Sequence, residues 1–180
     1  MKAIVIYASK YGSTKGIAEF IAERLRQQGT RAEAQQVDVV HNPADYDAFV
    51  IGSAVYMMHW LKEATEFVMQ NRTVLASRPV WLFSSGPLGS GASTNDPKLE
   101  PKEIAGFRDT INPRDHRVFF GALDSSKLGF AHRMTRTLPA ARAVLPKGDF
   151  RDWKDIEAWA SSIAQALEAP HPASESEMGA

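Results

Sequence analysis

Apolar residues fall along the chain in two rhythms, short unbroken runs and longer stretches at helical spacing, and the two alternate. Residues 3–8 (AIVIYA) are continuously apolar and rich in β-branched side chains, the pattern of a strand buried on both faces. Residues 14–28 place Ile17, Ala18, Ile21 and Leu25 on one helical face, and Gly29 closes that helix. Residues 31–37 (RAEAQQV) mix small and polar side chains, as on a partly exposed strand, before the turn chemistry of Asn42, Pro43 and Asp45. A third strand is expected over 48–52 (AFVIG), ending on Gly52. A loop over 53–60 (SAVYMMHW) and one helix from residue 61 to 74 follow.

Pro79 opens a further apolar run, 80–83 (VWLF), that leads into a long loop of small residues over 84–94. A short helix is expected at 104–111 and a last strand at 117–122 (RVFFGA). The pattern then becomes irregular, broken by Pro139 and Pro146. Residues 153–169 form an amphipathic helix with Ile156, Trp159, Ala160, Ile163 and Leu167 on its core face. Five strands alternating with helices predict an α/β fold, a doubly wound parallel sheet covered on both faces. Residues 1–168 read as one domain, and 169–180 as a disordered tail.

In such sheets ligands bind beyond the carboxyl ends of the strands. The loops after strands one, three and four, at 9–14, 53–60 and 84–94, are rich in Gly, Ser or aromatic residues. The connections at the other end are plain turns. The unusual chemistry therefore gathers on one edge.

Composition narrows the classes. The chain has 21 basic and 21 acidic residues, so no global field favours nucleic acid. It has no cysteine, which removes disulfides, thiolate metal sites and cysteine nucleophiles; no metal is expected. With no signal-peptide pattern and no apolar stretch of membrane-spanning length, a cytoplasmic protein is expected, with peripheral membrane contact left open.

The first loop carries the sharpest chemistry. Ser9, Lys10, Tyr11, Gly12, Ser13 and Thr14 crowd three hydroxyls and a glycine into six residues between a strand and a helix start. Unpaired N–H groups and a partial positive charge at that start suit an anion. The loop has neither the triphosphatase spacing nor the dinucleotide fingerprint, so a compact monophosphate suits it better. The bland alternative is an ordinary hydroxyl cap.

These residues resemble the flavodoxin phosphate loop, roughly T/S-x-T-G-x-T, with Tyr11 in place of the usual small hydroxyl residue. The resemblance runs further, toward the flavodoxin-like bacterial menaquinone-dependent protoporphyrinogen dehydrogenases. It is carried by residues 50–56 (VIGSAVY) followed by a histidine, by Phe120-Gly121-Ala122-Leu123 with an inserted segment behind it, and by Asp152-Trp153 opening the last helix. It implies sheet order 2-1-3-4-5 and a bound FMN. Its ring would lie between Ala54, Val55, Tyr56 and Met57 on one side and Ser84, Ser85, Gly86, Pro87, Leu88 and Gly89 on the other. His59 is a candidate proton donor, or simply a structural histidine.

Flavodoxin carriers are strongly acidic, whereas this chain is neutral. That favours an enzyme with a small-molecule redox substrate, and by resemblance a quinone and a porphyrinogen. The segment between Asp124 and Asp149 holds no acidic residue but contains Lys127, Arg133, Arg136, Arg142 and Lys147 among apolar residues. In the resembling family an insertion here engages a porphyrin-type substrate near the membrane. Arg133, Arg136 and Arg142 are therefore the candidates for substrate or membrane contact, the alternative being a solvated loop. The same cations would also suit the carboxylate tail of an 8-hydroxy-5-deazaflavin coenzyme. An electron carrier and a flavin-free module remain as further readings.

Overall fold

The computed structural model describes residues 1–86, 99–123 and 148–169. Pro87, Leu88, Gly89, Arg133, Arg136, Arg142 and the tail from residue 170 lie outside the described residues.

Strand β1 (Lys2–Ala8) leads into helix α1 (Ser13–Gln27), followed by β2 (Arg31–Gln36), β3 (Ala48–Tyr56) and a two-residue β4 (His59–Trp60). Helices α2 (Lys62–Gln70) and α3 (Arg72–Ala76) precede β5 (Val80–Gly86). Then come α4 (Glu103–Ile111), β6 (Asp115–Phe120), the small strands β7 (Ala122–Leu123) and β8 (Gly148–Asp149), and α5 (Trp153–Glu168). The main sheet runs β2-β1-β3-β5-β6, with all neighbours on this path parallel. Counting the parallel strands alone, this is the expected order 2-1-3-4-5.

Both faces are apolar because side chains alternate along strands that are covered on each side. Ala3, Val5 and Tyr7 of β1, with Val50, Trp81, Phe83 and Phe119, pack against α1 and α5. Ile4 and Ile6, with Phe49, Ile51 and Leu82, pack against α2, α3 and α4. Helix α1 ends as the sequence indicates: Gly29 takes φ +86°, and the amides of Gly29 and Thr30 donate to Arg26 and Leu25. Asp152 caps α5 by accepting from the amides of Lys154 and Asp155.

Three elements differ from the sequence expectation. β3 does not stop at Gly52 but continues to Tyr56, pairing Ser53 with Ala8 and Ser84, and Ala54 with Ser85. Gly52 marks a packing requirement instead, since a Cβ there would run into the Phe83 ring. β5 likewise continues through Ser84, Ser85 and Gly86, which pair with Val118, Phe119 and Phe120. The single helix expected over 61–74 is two, because the Asn71 side chain and amide both donate to the Phe67 carbonyl and end α2.

Candidate functional site at the carboxyl edge of the sheet

The loop after β1 turns on Gly12, whose φ of 87° is the left-handed conformation that glycine adopts without strain. Ser9 Oγ accepts from the Gly12 amide at 3.0 Å and so shapes the loop. Ser13 Oγ accepts from the Ala122 amide at 2.8 Å and lies 3.4 Å from Ser85 Oγ, tying the start of α1 to the end of β5 and to β7. Thr14 is fully buried, and its hydroxyl has no hydrogen-bond partner among the described residues. The first turn of α1 contains no acidic residue, and no side chain caps it. An orphaned buried hydroxyl costs about 1–3 kcal/mol, and an anion at this helix start would relieve it. Arg151 adds a guanidinium against the same turn: a Cβ on Gly16 would lie 2.6 Å from its Nη1. That guanidinium stacks on Trp153 and is paired with Asp149, which offsets its charge.

The second wall is a hairpin. Val55 pairs with Trp60 and Tyr56 with His59, so Met57 and Met58 alone make the turn. Both have positive φ, 51° and 66°, the type I′ geometry that normally selects Asn-Gly. Lys102 donates its amide to the Met58 carbonyl at 3.1 Å and pins the turn. Met57 is 93% exposed at the tip. Tyr56 is 39% exposed, leaving its ring available at the rim, and Lys10 Nζ sits 5.0 Å from the ring centroid. Burial first, and then the neighbouring Tyr11, push the Tyr56 phenol up to about 12. Tyr11, the departure from the flavodoxin loop pattern, thus belongs to the same wall as Tyr56.

Beneath the rim runs a buried polar chain. The Trp60 indole can only donate, so Ser84 Oγ accepts from Nε1 at 2.8 Å and passes its own proton to His116 Nε2, also at 2.8 Å. His116 then carries its proton on Nδ1, 3.6 Å from Glu100 Oε2, and Arg108 holds that carboxylate in a fork. Burial pulls His116 down to about 4, so it is neutral at pH 7. Serine, histidine and carboxylate follow one another as in a nucleophilic triad. However, Ser84 has no exposed surface and its oxygen is already engaged, so the chain is structural. The Ser84 side chain is therefore committed to this internal chain, and Ala54 is also buried. Val55, Ser85 and Gly86 remain together near the edge, with Val55 Cβ 3.1 Å from where a Cβ on Gly86 would stand.

A second carboxylate was not visible to sequence reasoning. Glu103 Oε1 lies 2.7 Å from His59 Nδ1, while Oε2 accepts from the Trp60 amide at 3.1 Å. Burial raises the Glu103 carboxyl, but these hydrogen bonds outweigh it and hold the group below its usual range. The two residues stand 44 positions apart with no spacing signal between them.

The family described as "Flavodoxin domain" matches residues 4–139. The chain belongs to the flavodoxin-domain family. Membership implies a flavin cofactor, and the orphaned Thr14 hydroxyl, the uncapped helix start and the accessible Tyr56 ring fit the phosphate and ring of FMN. The chain is 30% identical over 86 residues to the protoporphyrinogen IX dehydrogenase [quinone] of Escherichia coli K12; the match spans 47% of this chain and 48% of that relative. It thus covers about half the length of the curated relatives it matches. Among solved structures, an archaeal flavodoxin aligns over 94% of this flavodoxin-domain chain and all of its own, with TM-score 0.59 and 18% identity. The rubredoxin oxygen:oxidoreductase of Desulfovibrio gigas aligns over 92% of this chain and 36% of its own, with TM-score 0.60 and 18% identity. These structures share its fold. Among the described residues there is no cluster of potential metal ligands, and no helix is long and apolar enough to cross a membrane.

Proposed function

We propose that this flavodoxin-domain chain is an FMN-dependent oxidoreductase that dehydrogenates a porphyrinogen-class donor and reduces a quinone to the quinol. The observation that carries the FMN assignment is the acid-free, uncapped start of α1 with the buried, unpartnered Thr14 hydroxyl. FMN supplies the electron-transfer chemistry when bound, which leaves the protein the tasks of holding, orienting and shielding. Thr14 and the first amides of α1 would hold the phosphate, and Tyr56, with Tyr11 behind it, would flank the ring.

The half-length likeness to protoporphyrinogen IX dehydrogenase and the absence of net charge support an enzyme over an acidic carrier. The described residues that bound the basic segment, Leu123 and Gly148, pair with each other, and Ala122 is bonded to Ser13. Its two ends therefore stand beside the proposed phosphate site. Arg133, Arg136 and Arg142 would meet the carboxylates of an anionic donor. The test identifies the ligand released from purified protein by absorbance and mass, then measures quinone-coupled oxidation of protoporphyrinogen. FMN release with turnover is expected, and the triple Arg→Ala variant should raise KM for the donor while keeping FMN. Release of a deazaflavin or of no ligand would overturn the FMN assignment. An unchanged KM in the triple variant would remove the basic segment from substrate binding.

A further inference from the structure

We propose that His59, held by Glu103, is the proton donor to the quinone-class acceptor; this rests on the flavin–quinone reading above. The first support is the register. Tyr56 and His59 are directly paired across the hairpin, so their side chains share one face with Cβ atoms about 5 Å apart. A planar acceptor docking at the rim beside the ring that Tyr56 flanks would thereby meet the imidazole.

The second support is the way the imidazole is held. Glu103 uses one oxygen on His59 Nδ1 at 2.7 Å and the other on the Trp60 amide at 3.1 Å, so the carboxylate is itself fixed from two sides. A carboxylate bound to one ring nitrogen orients the ring and leaves the other nitrogen to exchange protons. The His59 side chain is 49% exposed, against 17% for Glu103. The proton-transferring group thus faces solvent and its anchor does not. His116, by contrast, is buried with both ring nitrogens facing internal partners.

The third support is the surroundings. Of the titratable groups, Glu103 on α4 meets the imidazole and Tyr56 stands across the ribbon, while Lys102 joins the turn through its backbone amide. Lys10 and Tyr11 lie behind Tyr56. Among the described residues, Glu103 is the hydrogen-bond partner of the imidazole. The exposed Met57 at the tip gives the same rim an apolar contact for a quinone body.

The step balances as follows. FMN, when bound, would supply the two electrons that the quinone takes up. The Nε2–H bond of the His59 imidazolium breaks and an O–H bond forms on one quinone oxygen. Water supplies the proton for the second oxygen, completing the quinol. The neutral imidazole keeps its Nδ1–H on Glu103 and regains the Nε2 proton from solvent.

The test uses the FMN-loaded full chain with menadione as acceptor, comparing wild type, His59→Gln and Glu103→Gln in H2O and in D2O. Wild type should show a solvent deuterium isotope effect on kcat. His59→Gln should lower kcat about 100-fold, change that isotope effect and leave KM and FMN content within twofold. Glu103→Gln, which keeps the bond to the Trp60 amide but loses the charge, should lower kcat about tenfold and alter the isotope effect. Independently of turnover, the His59 Nε2 resonance in 15N NMR of flavin-free protein should move on adding menadione. If His59→Gln matches wild type in rate and isotope effect, or the Nε2 resonance stays fixed, the proton role is overturned while the flavin reading stands. A wild-type chain that holds no FMN, or holds it without reducing menadione, overturns the function reading and the proton role together.

Discussion

The amide of Ala122 donates to Ser13 Oγ at 2.8 Å across 109 residues of sequence. This bond joins the first residue of α1 to the strand from which the basic segment departs. Ser13 Oγ also lies within reach of Ser85 Oγ, so one hydroxyl gathers the ends of α1, β5 and β7. Ser9 and Ser13 therefore build the loop, and Thr14 is the hydroxyl left for a ligand.

Thr14→Val tests that division. The exchange keeps shape and removes an unpartnered hydroxyl, so flavin-free protein should be no less stable in urea. FMN binding should weaken about tenfold, the value of one hydrogen bond to a charged group. Equal FMN affinity in the two proteins would assign Thr14 to packing alone.

The hairpin turn stores strain. Two methionines at positive φ cost about 1 kcal/mol each relative to residues suited to that region. Replacing Met57 and Met58 together by Asn and Gly should raise unfolding stability by about 1–2 kcal/mol in urea melts. A loss of stability would mean that the methionine side chains contribute packing that outweighs the strain.

Gly52 is a packing site in the middle of a central strand. Gly52→Ala would drive a methyl into the Phe83 ring, which is itself wedged against Phe119 and Trp159. Thermal denaturation should show a loss of roughly 3 kcal/mol. A neutral outcome would mean that the aromatic triangle can shift.

His116 makes stability depend on pH. Its ordinary value of 6.5 falls to about 4 in the folded chain, chiefly through burial. Below 6.5 the unfolded chain therefore takes up a proton that the native chain refuses, so stability falls as pH drops from 6.5 toward 4. The loss between pH 7 and pH 5 should be about 2 kcal/mol. His116→Gln should flatten that interval. The carboxylates of Glu100, Glu103 and Asp149, all held below their usual range, add their losses at lower pH. A wild-type curve flat from pH 7 to pH 5 would contradict the burial argument.

What the sequence made legible follows from local pattern. The unbroken apolar runs of β1, β3 and β5 and the spacing of α1 and α5 announce a covered parallel sheet, and the crowded hydroxyls of residues 9–14 mark the loop on which the proposed phosphate site rests. The hairpin was hidden because Met57-Met58 has none of the Asn or Gly that type I′ turns select, so residues 53–60 read as loop. Gly52 misled in the same way, because a glycine that clears an aromatic ring looks like one that ends a strand. Pairings across long separations, such as His59 with Glu103 and Ser84 with His116, leave no periodicity to detect.

The central claim is that the start of α1 is the phosphate site of a bound flavin. Fluorescence titration of flavin-free protein with FMN and with riboflavin tests it most directly, since the two ligands differ only in the phosphate. The account predicts FMN binding at least about 100-fold tighter, corresponding to roughly 2.7 kcal/mol placed on the phosphate. Equal affinity for the two ligands, or binding of neither, would contradict it.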